Sequence, residues 1–281
     1  MQRLDSVAII GVGLIGGSVG LALRDRRLAE RVVGIGRRAE SLAAAQNIGA
    51  VTETTLDLAA GVADAQLIVV CSPVDRIVEH VRAAAAACPP GALITDAGST
   101  KGTIVAALDG ALAREVTFVG SHPLAGSEKQ GPTEAQADLF EGRLVVVTPG
   151  AHTREADRQR VAEFWESLGA RVMAMSPAAH DRAVAASSHL PHLVAAALAD
   201  AVPLAAHPVT AGGFRDTTRV AAGDAELWTQ ILLDNREAVL AALTPFEETL
   251  TALRAALAAG DRQQLKTILN RAKTKRDALG S

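Results

Sequence analysis

The sequence predicts an α/β domain over residues 1–175, followed by an all-helical domain over residues 176–281. Short β-branched runs alternate with alanine-rich stretches through the first region, which is the pattern of a parallel sheet with helices on both faces. The runs are almost continuously apolar, as expected for strands that are buried on both sides. After Pro177 the apolar residues recur at helical spacing, and no strand pattern remains. The strand-like runs are VAII, VVGI, LIVV, ALITD, TFVGS, LVVVT and RVMAM.

Composition narrows the class of partner. The 281 residues carry a formal net charge of −3, and 49% of them are hydrophobic, which is enough for a large core but offers no basic field for nucleic acid. Residues 7–23 are uncharged, yet they contain five glycines and lack a basic leader, which argues against a signal peptide. Cys71 and Cys88 have no CxxC spacing, so we expect buried side chains in a reducing compartment. The expectation is a cytoplasmic protein that binds a small molecule, with no nucleic acid or membrane partner.

The first strand-like run leads into a glycine-rich turn, VAIIGVGLIGGS. Gly11, Gly13 and Gly16 have GxGxxG spacing between a predicted strand and a predicted helix, which is the context of a Rossmann-type dinucleotide-binding motif. The glycines permit the tight turn, the approach of backbone to a pyrophosphate and close helix packing. The helix N-terminus at Leu14 and Ile15 would hold the charge of the pyrophosphate. A bare strand, turn and helix with the same glycines is the alternative.

The second run, VVGIGRRAES, bears on which dinucleotide binds. An acidic residue near the end of this strand would bind the ribose hydroxyls of NAD, but Gly36 stands there. Arg37 and Arg38 follow directly, and two guanidinium groups favour the 2′-phosphate of NADP. We therefore expect NADP in preference to NAD. Two ordinary solvated arginines are the alternative.

Three loops follow successive predicted strands, CSPVDRI, TDAGSTKG and GSHPLAGSE. In open α/β sheets, ligands bind outside the carboxyl ends of the strands. Ser72 and Pro73 in the first loop are expected to contact the cofactor, and Ser99 and His122 supply polar groups. His122 suits the proton acceptor of an alcohol oxidation, because the ordinary pKa of histidine is about 6.5. An ordinary histidine of a surface loop is the alternative.

Five motifs occur in order, GVGLIGGS, DAGSTKG, GSHPLAGSE, SHLPH and GGFRDTTRVA…ELW. Through them nearly the whole chain resembles the prephenate and arogenate dehydrogenases. The resemblance implies a nucleotide-binding domain followed by a helical domain that forms an intertwined homodimer. The implied activity is the NAD(P)-dependent oxidative decarboxylation of prephenate to 4-hydroxyphenylpyruvate, or of arogenate to tyrosine, in tyrosine biosynthesis. The implied reaction needs no metal.

The resemblance also implies roles for single residues. His122 matches the histidine that hydrogen-bonds the ring 4-hydroxyl as hydride leaves C4, and Ser99 matches the serine that helps to orient it. Arg219 matches the arginine that pairs with a substrate carboxylate, and a guanidinium fork suits that partner. His192 matches a histidine near the side chain of the substrate. Two further candidates for substrate binding are Ser127 and Glu128.

The same residues also fit several alternative hypotheses. Histidines and an aspartate at positions 180, 181, 189 and 192 could share a metal site, although HExxH spacing is missing. Another two-domain Rossmann dehydrogenase or imine reductase would not need the histidine of GSHP together with TTRVA, and a non-catalytic nucleotide-sensing module would tolerate loss of His122. The apolar stripe of the C-terminal region could cover a second copy or close one bundle. Its members are Leu240, Leu243, Leu250, Leu253 and Leu257.

Overall fold

The computed structural model describes residues 3–113, 115–126 and 129–280. Within them, one sheet forms the first region. Its strands are β1 Leu4–Ile10, β2 Ala29–Ile35, β3 Glu53–Thr55, β4 Leu67–Val70, β5 Leu93–Asp96, β6 Thr117–Pro123, β7 Leu144–Thr148 and β8 Arg171–Ala174. The strands lie in the order β3-β2-β1-β4-β5-β6-β7-β8.

Helices cover the sheet and make up the C-terminal region of the described chain. Those of the first region are α1 Leu14–Asp25, α2 Ala39–Asn47, α3 Leu58–Val62, α4 Val74–Ala87, α5 Gly102–Leu108 and α6 Glu155–Ser167. Those of the second are α7 Pro177–Val184, α8 Leu190–Ala201, α9 Gly212–Thr218, α10 Ala225–Asp234, α11 Arg236–Ala259 and α12 Arg262–Asp277. The predicted combination of a Rossmann-type sheet and a helical region is confirmed.

β1 lies in the middle of the sheet, between β2 and β4, and the pairs from β3 to β6 are parallel. The crevice outside the carboxyl ends of β1 and β4 is therefore the point where the strand order reverses, the usual dinucleotide site. Val7 and Ile9 pack into the core on one face, and Ala8 and Ile10 pack into the core on the other. Burial on both faces explains the continuous apolar runs.

The sheet corrects the prediction in three places. The prediction omits β3, because its three residues form no apolar run. β7 runs antiparallel to β6, so the sheet is mixed and not wholly parallel. His122 pairs with Val146 in this ladder and thus lies at the end of a strand, whereas the sequence places it in a loop. A strand fixes the backbone of a side chain more firmly than a loop does.

The described residues 177–280 contain helices joined by short connections, and no strand. α7 begins at Pro177, and the side chain of Ser176 caps it by accepting a hydrogen bond from the backbone of Ala179 at 3.3 Å. Pro191 lies in the first turn of α8, a position that tolerates proline. Directly before α8, residues Ala185–His189 form a π-helical turn.

Two expectations about the first region concern the uncharged residues 7–23 and the two cysteines. Residues 7–23 divide into β1 and α1, and no described helix is long and apolar enough to cross a bilayer. Cys88 is buried as expected, but Cys71 is only half-buried. Cys71 follows β4 and lines a cavity beside the glycine-rich turn, which is why it keeps some exposure.

Candidate active site

The glycine-rich turn joins β1 to α1 at the carboxyl edge of the sheet. Gly11 has a φ of +94°, and a Cβ there would lie 2.7 Å from the carbonyl oxygen of Cys71. A Cβ on Gly16 would lie 2.1 Å from the oxygen of Gly11, so only glycine lets α1 approach. A Cβ on Gly13 would meet no described atom within 4 Å. This open space beside the N–H groups that begin α1 fits a pyrophosphate.

A cavity of about 280 Å³ opens beside the turn. Leu14, Ile15 and Gly16, which we also predicted to bind the cofactor, are not in its wall. Leu14 and Ile15 begin α1 instead, and a Cβ on Gly126, in the segment after β6, would lie 3.5 Å from Cδ1 of Ile15. The predicted cofactor residues that do line this one cavity are Gly11, Gly13, Arg37, Arg38, Ser72 and Pro73.

The wall of the cavity is positively charged. Arg37 and Arg38 line it together with Arg76, and no aspartate or glutamate is among the described residues of its wall. Arg76 also pairs with Glu79 at 2.9 Å. The sequence interpretation missed Arg76, because α4 brings it to the cavity from a distant part of the chain. This wall favours the binding of an anion.

His122 lies at the same edge of the sheet, where the two regions meet. Its Nδ1 is 2.9 Å from Nε2 of His180 in α7, and the two ring centroids are 5.1 Å apart. Burial lowers the pKa of His122 well below its ordinary value, and the nearby His180, Lys101 and His189 lower it further. His122 is therefore neutral at pH 7 and has a nitrogen that can accept a proton.

A buried ion pair supports the end of the strand that carries His122. Lys101 and Asp96 are both fully buried and contact each other through Nζ and Oδ2. Oδ1 of Asp96 accepts a hydrogen bond from the backbone of Ser121 at 3.0 Å, and Oδ2 accepts one from the backbone of Gly98 at 2.9 Å. Because Ser121 directly precedes His122, the carboxylate holds the backbone of the histidine in place. The sequence interpretation missed this pair, although Lys101 stands inside the motif TDAGSTKG.

Two carboxylates of the helical region hold the loop that carries Ser99. Asp181 accepts hydrogen bonds from the backbone of Lys101 at 2.8 Å and of Gly102 at 2.7 Å. Asp234, at the end of α10, accepts hydrogen bonds from the hydroxyls of Thr100 and Thr103. Ser99 is partly exposed directly before these anchored residues. The structure thus brings the loop of Ser99 and the strand of His122 to one edge.

His192 forms a second polar feature, deeper in the helical region. Its ring stacks on Trp228, with centroids 3.6 Å apart and an interplanar angle of 11°. It hydrogen-bonds the backbone of Val220, while its Nδ1 is buried without a hydrogen-bond partner among the described residues. Arg219, next to Val220, is exposed. The unsatisfied nitrogen is a group that a bound molecule could satisfy.

The residues of the metal alternative serve other partners. His180 Nδ1 lies 2.8 Å from Oδ1 of Asp181, and Nδ1 of His189 accepts a hydrogen bond from Nδ2 of Asn235 at 3.1 Å. In the part of the chain that the structure describes, no group of three histidine, cysteine, aspartate or glutamate side chains is arranged to hold a metal. Two predicted substrate contacts, Ser127 and Glu128, lie outside the described residues.

Comparisons with known proteins agree with this architecture. Residues 19–174 match the family model for the prephenate dehydrogenase nucleotide-binding domain, and residues 176–271 match that for the prephenate dehydrogenase dimerization domain. Cyclohexadienyl dehydrogenase of Zymomonas mobilis is 36% identical over 273 residues, which cover 93% of this chain and 91% of that protein. Prephenate dehydrogenase of Bacillus subtilis is 32% identical over an alignment of length 286, which covers 99% of this chain and 77% of that protein.

A solved structure extends the similarity to three dimensions. Prephenate dehydrogenase from A. aeolicus, in complex with hydroxyphenyl propionate and NAD+, superimposes with a TM-score of 0.91 at 33% identity. The superposition covers 99% of each chain. Both regions and their order are thus shared with that dehydrogenase. The chain therefore belongs to the prephenate dehydrogenase family of NAD(P)-dependent oxidoreductases.

Proposed function

We propose that this chain catalyses the oxidative decarboxylation of prephenate to 4-hydroxyphenylpyruvate, with His122 as the proton acceptor and NADP as the preferred cofactor. The observation that carries the proposal is a neutral histidine at the sheet edge where the dinucleotide cavity opens. The proposed division of labour falls between residues 175 and 176. Residues 1–175 bind the cofactor, and residues 176–281 supply substrate contacts and the dimer interface.

The chemistry begins at the ring alcohol of the substrate. A neutral ring nitrogen of His122 accepts the hydroxyl proton as the C–H bond at C4 breaks. A bound nicotinamide supplies the acceptor for the hydride that leaves C4. The carbonyl that forms at C4 accepts the electron pair released when the ring carboxylate leaves as carbon dioxide. The ring becomes aromatic, and His122 returns its proton to the oxygen, which ends as a phenol.

Substrate recognition is proposed to rest on groups that face the site from several elements. Arg219 pairs with a carboxylate of the substrate, since its guanidinium can donate two parallel hydrogen bonds. The unsatisfied Nδ1 of His192 offers a contact to the substrate's side chain. Ser99 helps to orient the ring hydroxyl. Ser127 and Glu128 stay proposed substrate contacts on the strength of the sequence.

The cofactor preference is proposed from the charge of the cavity. Gly36 provides no carboxylate for ribose hydroxyls, and Arg37, Arg38 and Arg76 line the same wall. A second phosphate would meet these three cations without a described carboxylate in that wall. NAD would forgo the contacts and keep only the pyrophosphate cradle at the glycine-rich turn.

A second copy of the chain is the proposed partner of the helical region. Of the predicted stripe on α11, Leu240, Leu250 and Leu257 are exposed by 57%, 56% and 66%. Leu243 and Leu253 are partly covered within the chain, so the stripe serves both an internal and an external contact. The match of residues 176–271 to a dimerization domain supports a homodimer through this face.

The test is an absorbance assay of reduced nicotinamide with prephenate or arogenate, each supplied with NAD or NADP. We expect the largest kcat/KM with prephenate and NADP. Activity with arogenate alone would overturn the proposed substrate, and a preference for NAD would overturn the role of Arg37 and Arg38. Absence of turnover in all four mixtures would overturn the proposed function.

A further inference from the structure

Three side chains from both regions form one hydrogen-bonded row. His122 Nδ1 lies 2.9 Å from His180 Nε2, and His180 Nδ1 lies 2.8 Å from Asp181 Oδ1. His180 is 1% exposed, so water competes little for these bonds. Asp181 is held in turn by the backbone of Lys101 and Gly102. The row ends on a carboxylate that cannot rotate away without losing these hydrogen bonds.

The carboxylate sets the direction of every bond in the row. Burial raises the pKa of Asp181, but hydrogen bonds from His180, Gly102 and Lys101 outweigh it and lower the pKa below its ordinary value. A carboxylate can only accept hydrogen bonds, so the ring hydrogen of His180 lies on Nδ1. In the neutral form of His180 the other ring nitrogen, Nε2, carries no hydrogen and accepts the bond from Nδ1 of His122. The hydrogen of His122 is thereby on Nδ1, and its Nε2 has the free lone pair.

We infer that His180 and Asp181 are positioning residues, which hold His122 in the tautomer whose Nε2 can accept the hydroxyl proton of the substrate. The inference rests on the proposed function, because it takes His122 as the proton acceptor. In the step, the O–H bond of the substrate breaks and an Nε2–H bond forms on His122. The Nδ1–H bond of His122 stays intact, and its hydrogen bond to His180 becomes charge-assisted.

The surroundings of His122 show why this support matters. Burial disfavours a positive charge on His122 most strongly, and the electrostatic effects of His180, Lys101 and His189 disfavour it further. Asp96 is paired directly with Lys101, and Asp234 is bonded to Thr100 and Thr103. Asp181 is the carboxylate that reaches His122 through a hydrogen-bonded neighbour. The row therefore offers the developing imidazolium an acceptor backed by a negative charge.

Nitrogen-15 NMR of protein with labelled histidine tests the tautomer directly, since protonated and bare ring nitrogens have well-separated shifts. We expect the hydrogen on Nδ1 in wild type, with the resonance assigned by its loss in His122→Asn. His180→Phe removes the acceptor, so the hydrogen of His122 moves to Nε2. His180→Gln places an amide oxygen near the former Nε2 and keeps the hydrogen on Nδ1. A wild-type His122 with its hydrogen on Nε2 would overturn the inference.

Kinetics of the same variants test the consequence. We expect kcat to fall about 10²-fold in His180→Phe and less than about tenfold in His180→Gln, with KM for prephenate within about twofold of wild type. Unchanged NADP affinity shows that the variants are folded. The matched control is His152→Phe, because His152 pairs with Asp109 at 3.0 Å near the opposite end of β6. An unchanged kcat in His180→Phe would overturn the inference.

The two failures are distinguishable. If wild type turns over none of the four substrate and cofactor mixtures, the proposed function fails, while the NMR shifts still decide whether His180 sets the tautomer. If wild type is active, His122→Asn is inactive and His180→Phe matches wild type, the proposed function stands and only the positioning role is lost. Asp181 is left unchanged in these tests, because its removal would also free the backbone N–H groups of α5.

Discussion

The two regions differ in how far they bury their own apolar side chains. Among the described residues, three large exposed hydrophobic side chains precede residue 176, and ten follow it, although the second region is the shorter. The sheet packs a separate core on each face, and the helical region contributes only Ile231 and Trp228 of α10 to one of these two cores. The helical region leaves leucines on α10, α11 and α12 uncovered. Apolar surface on this scale is typical of a region that folds against another chain.

The same comparison applies to the candidate active site. The sheet carries His122 and the cavity beside the glycine-rich turn, whereas the helical region supplies His180 as a partner of His122 and the proposed substrate contacts Arg219 and His192. The proposed proton acceptor thus lies on the sheet, and its hydrogen-bonded support comes from the helical region. The difference suggests experiments that disturb one region and measure the other.

The largest expected effect is the loss of turnover when the proposed proton acceptor on the sheet is removed. His122→Asn removes the proton acceptor and leaves the phosphate-binding groups intact, so we expect kcat to fall about 10³-fold. The dissociation constant of NADP, measured by fluorescence titration, should stay within about twofold. Near-normal turnover in this variant would place the chemistry elsewhere.

A second effect concerns a buried group of the helical region. Burial lowers the pKa of His189 from 6.5 to about 4, with Asp181 opposing and His180 and His192 adding to the shift. The unfolded chain binds this proton below about pH 6.5 and the folded chain only near pH 4, so the unfolding free energy falls as the pH drops through that window. His189→Gln keeps an acceptor for Asn235 but does not titrate.

Urea denaturation between pH 7 and pH 4 measures this effect. Wild type should lose about 3 kcal/mol more than His189→Gln over that range. Above pH 7 the pH dependence of the two proteins should coincide. Parallel losses in acid would show that His189 is not held neutral by the fold.

The third effect concerns the arginines that line the cavity. The double variant Arg37→Ala, Arg38→Ala should lower kcat/KM for NADP about 10²-fold, because each charge-assisted hydrogen bond contributes about 1.5–3 kcal/mol. Values for NAD should change less than about threefold. Arg271→Ala, an exposed arginine on α12, is the control and should change neither. Equal losses with both cofactors would contradict recognition of a second phosphate.

The smallest effect addresses the uncovered face of the helical region. Leu250→Ala should weaken self-association about 30-fold, since the dimer loses two leucine side chains and each truncation removes about 1 kcal/mol of apolar burial. Sedimentation across a range of concentrations measures it. Leu279→Ala, at a residue that is 81% exposed near the end of α12, is the control. A wild-type mass equal to one chain of 29.0 kDa would refute the homodimer.

Sequence and structure agree best where function depends on neighbours in the chain. The sequence could predict that Gly11, Gly13, Arg37 and Arg38 lie beside one cavity, because a turn and the residues after a strand are local features. The helical character of the second region followed from spacing in the same way. Such features can be predicted because they depend on residues that are close together in the chain and little on long-range contacts.

The parts that could not be predicted depend on contacts across the chain. His122 and His180 are 58 residues apart, and the sequence offered His180 and Asp181 only as candidates for a metal site. Trp228 was visible in the motif that ends in ELW, but nothing local indicates that it stacks on His192. The antiparallel direction of β7 also depends on tertiary packing, because an apolar run reads the same either way.

Asp181 binds both the ring of His180 and the backbone at the start of α5, and this limits where the chain could be divided by recombination. A grafted sheet that ended at β8 would carry the pyrophosphate cradle to a new host, yet its histidine would arrive without the acceptor that selects its tautomer. The first turn of α5 would also lose the carboxylate that ties it down. A graft that keeps the tautomer of His122 must therefore include α7 as well as the sheet, and a chimera joined before Pro177 would turn over little substrate.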